Sequence, residues 1–420
     1  MISISSSEIK VTGEEIYSFA DIYDYAVDND LTQYIFNHNR YYEISIDLRI
    51  DDKCIIRDSN VHIIINGDLI QIHAGAGLEL GTINENGSTS NGCTLEAPNI
   101  KNAYGFGNTT KSDSGNLKLY NSVVNIYGFW GFFSGSNHVE IIDCFIDGFG
   151  RIEGSDSILK NILFKKSNGK YGILAPKGEL KLIENLSVQN TEEAYGFKCS
   201  VYHNPGYAGN QKQIGGVYDG YDKLAYIEDT DGADSLIFLD SDIRAGYELE
   251  RETNNVDFFH DFTFNPTTRD SDGNILEGVR IKCSDRNGNV LFESISDANG
   301  NIKEEITYYR TLRDETVGNI MTPHTLDVSY DDIAFTRSIM VDKPLINFPL
   351  YVTAGTSSDD GSESGCDCDV ITKRVDDLES TLNTKLNLLE SGIRQVIGTV
   401  IDEVNENETY FKETRFSITM

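Results

Sequence analysis

The sequence predicts a mainly β chain built from a parallel β-helix, a small antiparallel β-sandwich and a C-terminal oligomerising α-helix. Three observations carry that reading. An aromatic-glycine signature returns at Tyr104-Gly105-Phe106, Tyr127-Gly128-Phe129, Gly148-Phe149, Tyr171-Gly172-Ile173 and Tyr195-Gly196-Phe197, its glycines stepping by 23, 20, 24 and 24 residues. Between Asp272 and Val341, short alternating runs are separated by Asp-x-Asn-Gly turns. After Ile371 the apolar residues fall at helical spacing.

A period in the low twenties describes a unit that cannot bury its own apolar face and must stack on its neighbours. Between the glycine marks lie paired alternating runs: Leu117/Leu119 with Val124/Ile126, Val139/Ile141 with Cys144/Ile146, and Leu180/Leu182 with Leu186/Val188. Period-two alternation signals strands, and each run is too short for a helix. Asn121, Asp143, Asn161 and Asn185 stand between paired runs, where short polar side chains bond their own backbone and tolerate left-handed dihedrals. Short strands with a polar corner and a glycine corner describe one coil of a β-helix. A leucine-rich repeat would need a Leu-x-x-Leu-x-Leu frame, which is absent.

Residues 1–40 read as an N-terminal cap. Within it, residues 14–27 place Ile16, Phe19, Ile22, Tyr23 and Ala26 on one face of an amphipathic helix, suited to plug the open end of the coil and cover its unpaired edge. Residues 41–262 read as the β-helix and its terminal coils. Residues 61–65 and 68–72 are the clearest early strands, with Asn66-Gly67 between them as a tight hairpin turn. Tyr127, Phe129, Trp130, Phe132 and Phe133 gather at a glycine corner, where they offer stacking area to a sugar or a partner subunit, or pack along the solenoid itself. Residues 201–262, rich in Tyr, Asp and Gly, read as terminal coils with a long loop or as a wedge between domains.

Residues 263–352 read as the sandwich. Asp270-Ser-Asp-Gly, Asp285-Arg-Asn-Gly and Asp297-Ala-Asn-Gly each imitate the start of a calcium loop, but Ile281, Ser296 and Tyr308 occupy the position where such a loop needs glutamate. They are therefore hairpin turns, and no metal or other cofactor is expected. Residues 353–369 form an acidic flexible linker, in which Cys366 and Cys368 are too few for a metal site.

Residues 370–408 read as a coiled-coil helix, followed by a tail at 409–420. Val375, Leu378, Leu382, Leu386, Leu389, Ile393, Ile397, Val400 and Val404 form an apolar stripe whose 4, 4, 3 spacing gives an eleven-residue period and a straight or slightly right-handed supercoil. No second helical stretch of that length exists to cover the stripe, so its partners are other copies of the chain.

Composition sets further bounds. The 420 residues suffice for two or three domains, and 67 acidic against 35 basic residues give a net charge of −32, leaving no basic stripe for a phosphate backbone. Nucleic acid is excluded as a partner. Of seven cysteines, Cys54, Cys93, Cys144, Cys199 and Cys283 sit singly in apolar runs and read as buried thiols. The opening Met-Ile-Ser-Ile-Ser-Ser-Ser-Glu lacks a cationic segment followed by an apolar one, and no run of eighteen apolar residues occurs, so synthesis in the cytoplasm without a membrane span is expected.

The Asp272 to Val341 pattern resembles the regulatory-type Ig-like or transthyretin-like domain attached to carboxypeptidases and many surface proteins, which implies a spacer or adhesive module. A cap helix, a short right-handed parallel β-helix, an Ig-like module and an oligomerising helix, in that order, resemble bacteriophage appendage proteins of the tailspike, tail-fibre or head-fibre kind. The resemblance implies a homotrimer in the virion, assembled in the host cytoplasm with other virion proteins and contacting the host surface. Its alternative is a tailspike depolymerase acting on a surface glycan. Hydrolytic tailspikes use paired carboxylates on the β-helix face; the candidates are Asp143 and Asp147, four residues apart across a corner, with Glu153 and Asp156 nearby. The pectinase motifs Asn-Thr-Asp, Asp-Asp and Gly-His-Gly are missing from the coils, and Arg280-Ile-Lys282 falls in the Ig-like module. The expectation is a non-catalytic structural subunit.

Overall fold

Stacked parallel strands dominate the chain, which is mainly β with one helix among the described residues. The structure, a computed structural model, describes residues 1–73, 75–98, 115–126, 138–147, 150–153, 157–165, 174–177, 181–189, 199–203, 211–227, 234–252 and 256–353. All belong to one unit, Met1–Gly355. The five aromatic-glycine signatures, the cluster Tyr127, Phe129, Trp130, Phe132 and Phe133, the remainder of the 353–369 linker, the 370–408 helix from Val375 to Val404 and the 409–420 tail lie outside the described residues.

Two long parallel ladders run side by side. The first passes through Ile16–Tyr17, Ile55–Asp58, Gly77–Leu80, Asn116–Tyr120, His138–Ile142, the front halves of Ile158–Lys165 and Leu182–Gln189, then Gln211–Ile214, Asp234–Leu239 and Val256–Arg269. The second passes through Tyr41–Ile44, His62–Ile65, Thr94–Ala97, Val123–Ile126, Phe145–Asp147, the rear halves of the same two strands, Val217–Asp219 and Asp242–Ile243. Asn116 faces His138, Ile158 faces Leu182 and Gln211 faces Leu236, offsets of 22, 24 and 25 residues. Two shorter sheets accompany them, one of Glu8–Val11, Asp47–Ile50 and Ile70–Ile72 in parallel with Ile2–Ile4 antiparallel at its edge, the other parallel and running from Gly150–Glu153 to Leu249–Arg251.

Alternation puts every second side chain inside, and the register turns these into columns. Leu80, Leu119, Ile141, Leu159 and Ile183 stack in the first ladder; Ile63, Leu95, Val124, Ile146, Phe164, Val188 and Tyr218 stack in the second. All are buried. Burying a large aliphatic or aromatic side chain of this kind stabilises by about 1.5–3 kcal/mol, and these columns hold the ladders together. Outward positions of the first ladder alternate in sign instead: Glu79 meets Arg57 at 2.6 Å and Lys118 at 3.4 Å, which spares like charges from facing each other.

The corner between the ladders is a column of left-handed residues. Asn121, Asp143, Asn161 and Asn185 have φ of 48°, 57°, 52° and 53°. Their side chains link successive turns: Asn185 Nδ2 donates to Asn161 Oδ1 at 2.9 Å, and Asn161 Nδ2 donates to Asp143 Oδ1 at 2.8 Å. At the next corner Gly215 takes over, since a Cβ there would lie 2.5 Å from Asn185 Oδ1.

Three local expectations differ from the structure. The helix spans Phe19–Asp28 and does not begin at residue 14, because Ser18 and Asp21 form a reciprocal capping box at its start. Ile16 and Tyr17 instead pair with Ile55 and Ile56 as a strand. The helix buries Phe19, Ile22 and Ala26 in the first core and packs on the first strands of the ladders. Asn66-Gly67 does not turn a hairpin; His62–Ile65 and Ile70–Ile72 belong to different sheets, and a Cβ on Gly67 would strike the Ile46 carbonyl at 2.4 Å. In the Leu180/Leu182 run, Leu182 points outward beside Ile158 and Ile183 is the buried residue.

The 14-residue strand Val256–Arg269 closes the ladder and starts the next module. Residues 256–261 pair parallel with Asp234–Leu239, while Phe258 to Phe264 pair antiparallel with Glu304–Thr311, which covers the ladder's last edge. Beyond Phe264 the same strand pairs parallel with Leu345–Tyr351, with a register shift between Asn265 and Pro266, the position where a proline's missing N–H is tolerated. Facing it, Val290–Ile295, Arg280–Ser284, His324–Tyr330 and Ile333–Ile339 form an antiparallel four-stranded sheet. Phe262, Phe264, Ile281, Ile306, Leu326 and Val328 fill a second core between them. The 262/263 boundary expected from sequence falls inside this unbroken strand.

Candidate functional site

Asp143 precedes the short strand Phe145–Asp147, and Asp147 is its last residue. Asp143 is a corner residue with both oxygens engaged, Oδ1 by Asn161 Nδ2 and Oδ2 by Thr89 Oγ1. Asp147 faces outward between Asn125 and Lys165 in register. Its Oδ1 is buried without a hydrogen-bond partner among the described residues, and burial raises its pKa against the pull of Lys165. The two carboxylates thus have different environments, one fixed in a structural column and one biased toward its protonated form. Glu153 belongs to the Gly150–Glu153 strand, and Asp156 lies outside the described residues.

The three Asp-x-Asn-Gly-like segments are turns with their carboxylates occupied. Asp285 Oδ1 accepts from the backbone N–H of Asn287 at 2.8 Å and of Asn289 at 2.9 Å, and Oδ2 accepts from Asn289 Nδ2 at 2.9 Å. Asp270 repeats this pattern, and Asp297 repeats its two backbone bonds. Gly273, Gly288 and Gly300 supply the positive φ of each turn. Among the described residues no group of three or more His, Cys, Asp or Glu is placed to hold a metal ion. Cys54, Cys93, Cys144 and Cys283 are free and buried, and burial raises their thiol pKa, so they are inert packing residues.

The richest polar chemistry lies where the two cores meet. In the long strand, Phe258 belongs to the first core and Phe262 to the second, and His260-Asp261 falls between them. His260 Nε2 lies 3.0 Å from the Ser241 carbonyl oxygen, which only accepts, so Nε2 carries the proton and Nδ1 accepts from Tyr247 Oη at 2.8 Å. Burial pulls its pKa down to about 4. Asp261 is pushed the other way, to about 6, by burial, with Thr307 and Lys212 opposing and Glu305 adding to the shift. Its Oδ1 has no hydrogen-bond partner among the described residues.

Around this pair the rings form a cluster. Tyr247 stacks on Tyr309 with centroids 4.1 Å apart at 15°, and Tyr308, displaced by a register irregularity opposite His260 and Asp261, packs on Phe262 at 5.7 Å. Two clefts open on the cluster. One of about 350 Å³ is bordered by Asp240, Asp242, His260, Tyr308 and Lys343. The other, of about 520 Å³, lies between the Leu249–Arg251 strand and the 311–318 turn, with Tyr247, Arg251, Tyr309, Glu315 and Val317 on its walls. Arg251 donates to the carbonyls of Leu312 and Thr311 at 3.3 and 3.4 Å, and burial lowers its pKa.

Sequence reasoning did not find this junction. Its one signal was the polar His260-Asp261 step interrupting the alternation Val256-Asp-Phe-Phe-His-Asp-Phe-Thr-Phe264. Comparison with protein families, curated proteins and solved structures finds no match to this chain.

Proposed function

We propose that the chain is a non-catalytic structural subunit of a phage virion fibre or appendage, self-assembling as a trimer for attachment or host-surface contact. In this reading the ladders wind as a right-handed parallel β-helix, the hand expected of parallel crossover connections, and the second module is an Ig-like sandwich. The observation that carries it is the unbroken strand Val256–Arg269, which fuses the stacked ladders to the second module and suits a rod that transmits load without a hinge. The commitment of Asp143 to the corner column also supports a scaffold role for that residue. Assembly rests on the apolar stripe from Val375 to Val404. Light scattering on the full chain and on a chain ending at Thr353 tests it: three copies for the first and one for the second are expected, and a monomeric full chain overturns the reading.

A second reading, a tailspike glycan depolymerase, is favoured by one feature, the burial of Asp147 Oδ1 without a hydrogen-bond partner among the described residues, which raises the pKa of that carboxyl. It requires release of sugar fragments from a surface polysaccharide that Asp147→Asn abolishes. Retention of such release in Asp147→Asn and in Asp143→Asn removes these two residues from it.

A further inference from the structure

We propose that the 520 Å³ cleft between the Leu249–Arg251 strand and the 311–318 turn is a binding site for a neutral saccharide, a hexose or N-acetylhexosamine unit, free or at the end of a glycan.

A ring pair forms one side of the cleft. Tyr247 and Tyr309 stack nearly parallel, 4.1 Å apart at 15°, and both line the cleft. A tyrosine ring with one apolar face and a polar rim matches the C–H face of a pyranose. Neither ring is incidental to the fold: Tyr247 is anchored through its hydroxyl to His260, and Tyr309 packs on Phe258 at 6.1 Å. Both are therefore held in place before a ligand arrives, which lowers the ordering cost of binding.

Hydrogen-bonding groups surround the rings. Arg251 uses one N–H of each terminal nitrogen on the Leu312 and Thr311 carbonyls, both bonds long, so its other guanidinium N–H groups remain as donors. Among the described residues no carboxylate lies within ion-pair distance of it. Glu315 is fixed by the Leu312 N–H at 3.0 Å through Oε2, which leaves Oε1 as an acceptor on the same wall. A planar donor fork and a carboxylate oxygen beside an aromatic plate are complementary to vicinal hydroxyls, each of which both donates and accepts.

Charge decides the class of sugar. Glu248 and Glu250 also line the cleft, and Lys223 pairs with the first and lies 3.9 Å from the second. With Arg251 and Lys223 set against Glu248, Glu250 and Glu315, the site carries a small negative balance in a chain of net charge −32. An acidic sugar would add to that negative balance, and a neutral one would not.

The site stands on the cleft alone and is independent of the assembly reading: a chain that trimerises without binding sugar overturns only the present proposal. The test is saturation-transfer NMR on the full chain with glucose, galactose, N-acetylglucosamine and N-acetylgalactosamine, and with glucuronic and galacturonic acid as the acidic arm. At least one neutral sugar is expected to receive transfer and the acids none. Arg251→Gln is expected to weaken binding about tenfold or more. Val317→Trp, at a lining residue that is 75 % exposed and so free of a packing role, is expected to block the cleft without loss of fold. Absence of transfer to every neutral sugar, preference for the acids, or binding untouched by Val317→Trp in a folded protein would each overturn the proposal.

Discussion

Replacing Asp261 with Asn is expected to stabilise the protein at neutral pH, and the size of the gain follows from the junction's electrostatics. Burial raises the Asp261 carboxyl from 3.8 to about 6 in the folded chain. A raised folded value means that the folded state holds the proton longer than the unfolded one. The associated stability is complete below pH 3.8 and is lost as pH rises through about 6. At about 1.4 kcal/mol per pH unit, the ionised carboxylate costs the folded state about 3 kcal/mol at pH 7. Asn keeps the shape and an acceptor for Thr307 without the charge. Urea unfolding of both proteins across pH 3 to 8 should show Asp261→Asn about 3 kcal/mol more stable at pH 7 and equal to the parent near pH 3.5. His260 slopes the other way, since its lowered value of about 4 against 6.5 gives stability present above pH 6.5 and lost as pH falls toward 4. The neighbours therefore offset each other between pH 4 and 6, and Asp261→Asn unmasks the histidine. A variant less stable than the parent at pH 7, or a difference independent of pH, would refute the reasoning.

Other substitutions probe the corners and ends of the ladders. Gly216→Ala places a Cβ 2.0 Å from the Leu186 carbonyl oxygen at a φ of 90°, and thermal unfolding should show a loss of about 4 kcal/mol or more, whereas Gly87→Ala, with φ of 80° and nothing within 4 Å, should cost about 1–2 kcal/mol. Asn161→Ala removes both its corner hydrogen bonds and meets the left-handed penalty, for a loss of about 3 kcal/mol in denaturant titration; Asn161→Gly should recover the backbone share, about 1–2 kcal/mol. Ser18→Ala breaks the capping box and should cost about 1 kcal/mol, read as a lowered unfolding midpoint.

What the sequence reveals about this fold tracks how local the physics is. Asn121, Asp143, Asn161 and Asn185 are legible as corners because a short polar residue between two alternating runs has few other uses, and all four adopt positive φ. The helix start is misplaced because Ile16 fits the helical spacing, although Ser18 with Asp21 three positions on was the stronger signal. Asn66-Gly67 reads as a hairpin because the dipeptide cannot report that Ile46, twenty-one residues earlier, presses on Gly67. Leu182 and Ile183 are adjacent apolar residues, and only the register with Ile158 and Leu159 decides which faces inward. The junction was hidden for the same reason in stronger form: Tyr247, Arg251, His260, Tyr309 and Glu315 meet only after the long strand has paired on both sides.

The fusion of the two modules depends on that strand. Hydrogen exchange along Val256–Arg269 tests it directly. If one continuous strand joins the ladders to the second module, the amides paired on either side of residues 262 and 263 exchange together, slowly, and only through global unfolding. A fast-exchanging break at 262–263, with the two halves protected to different degrees, would mean separate domains on a hinge and would contradict the continuous strand.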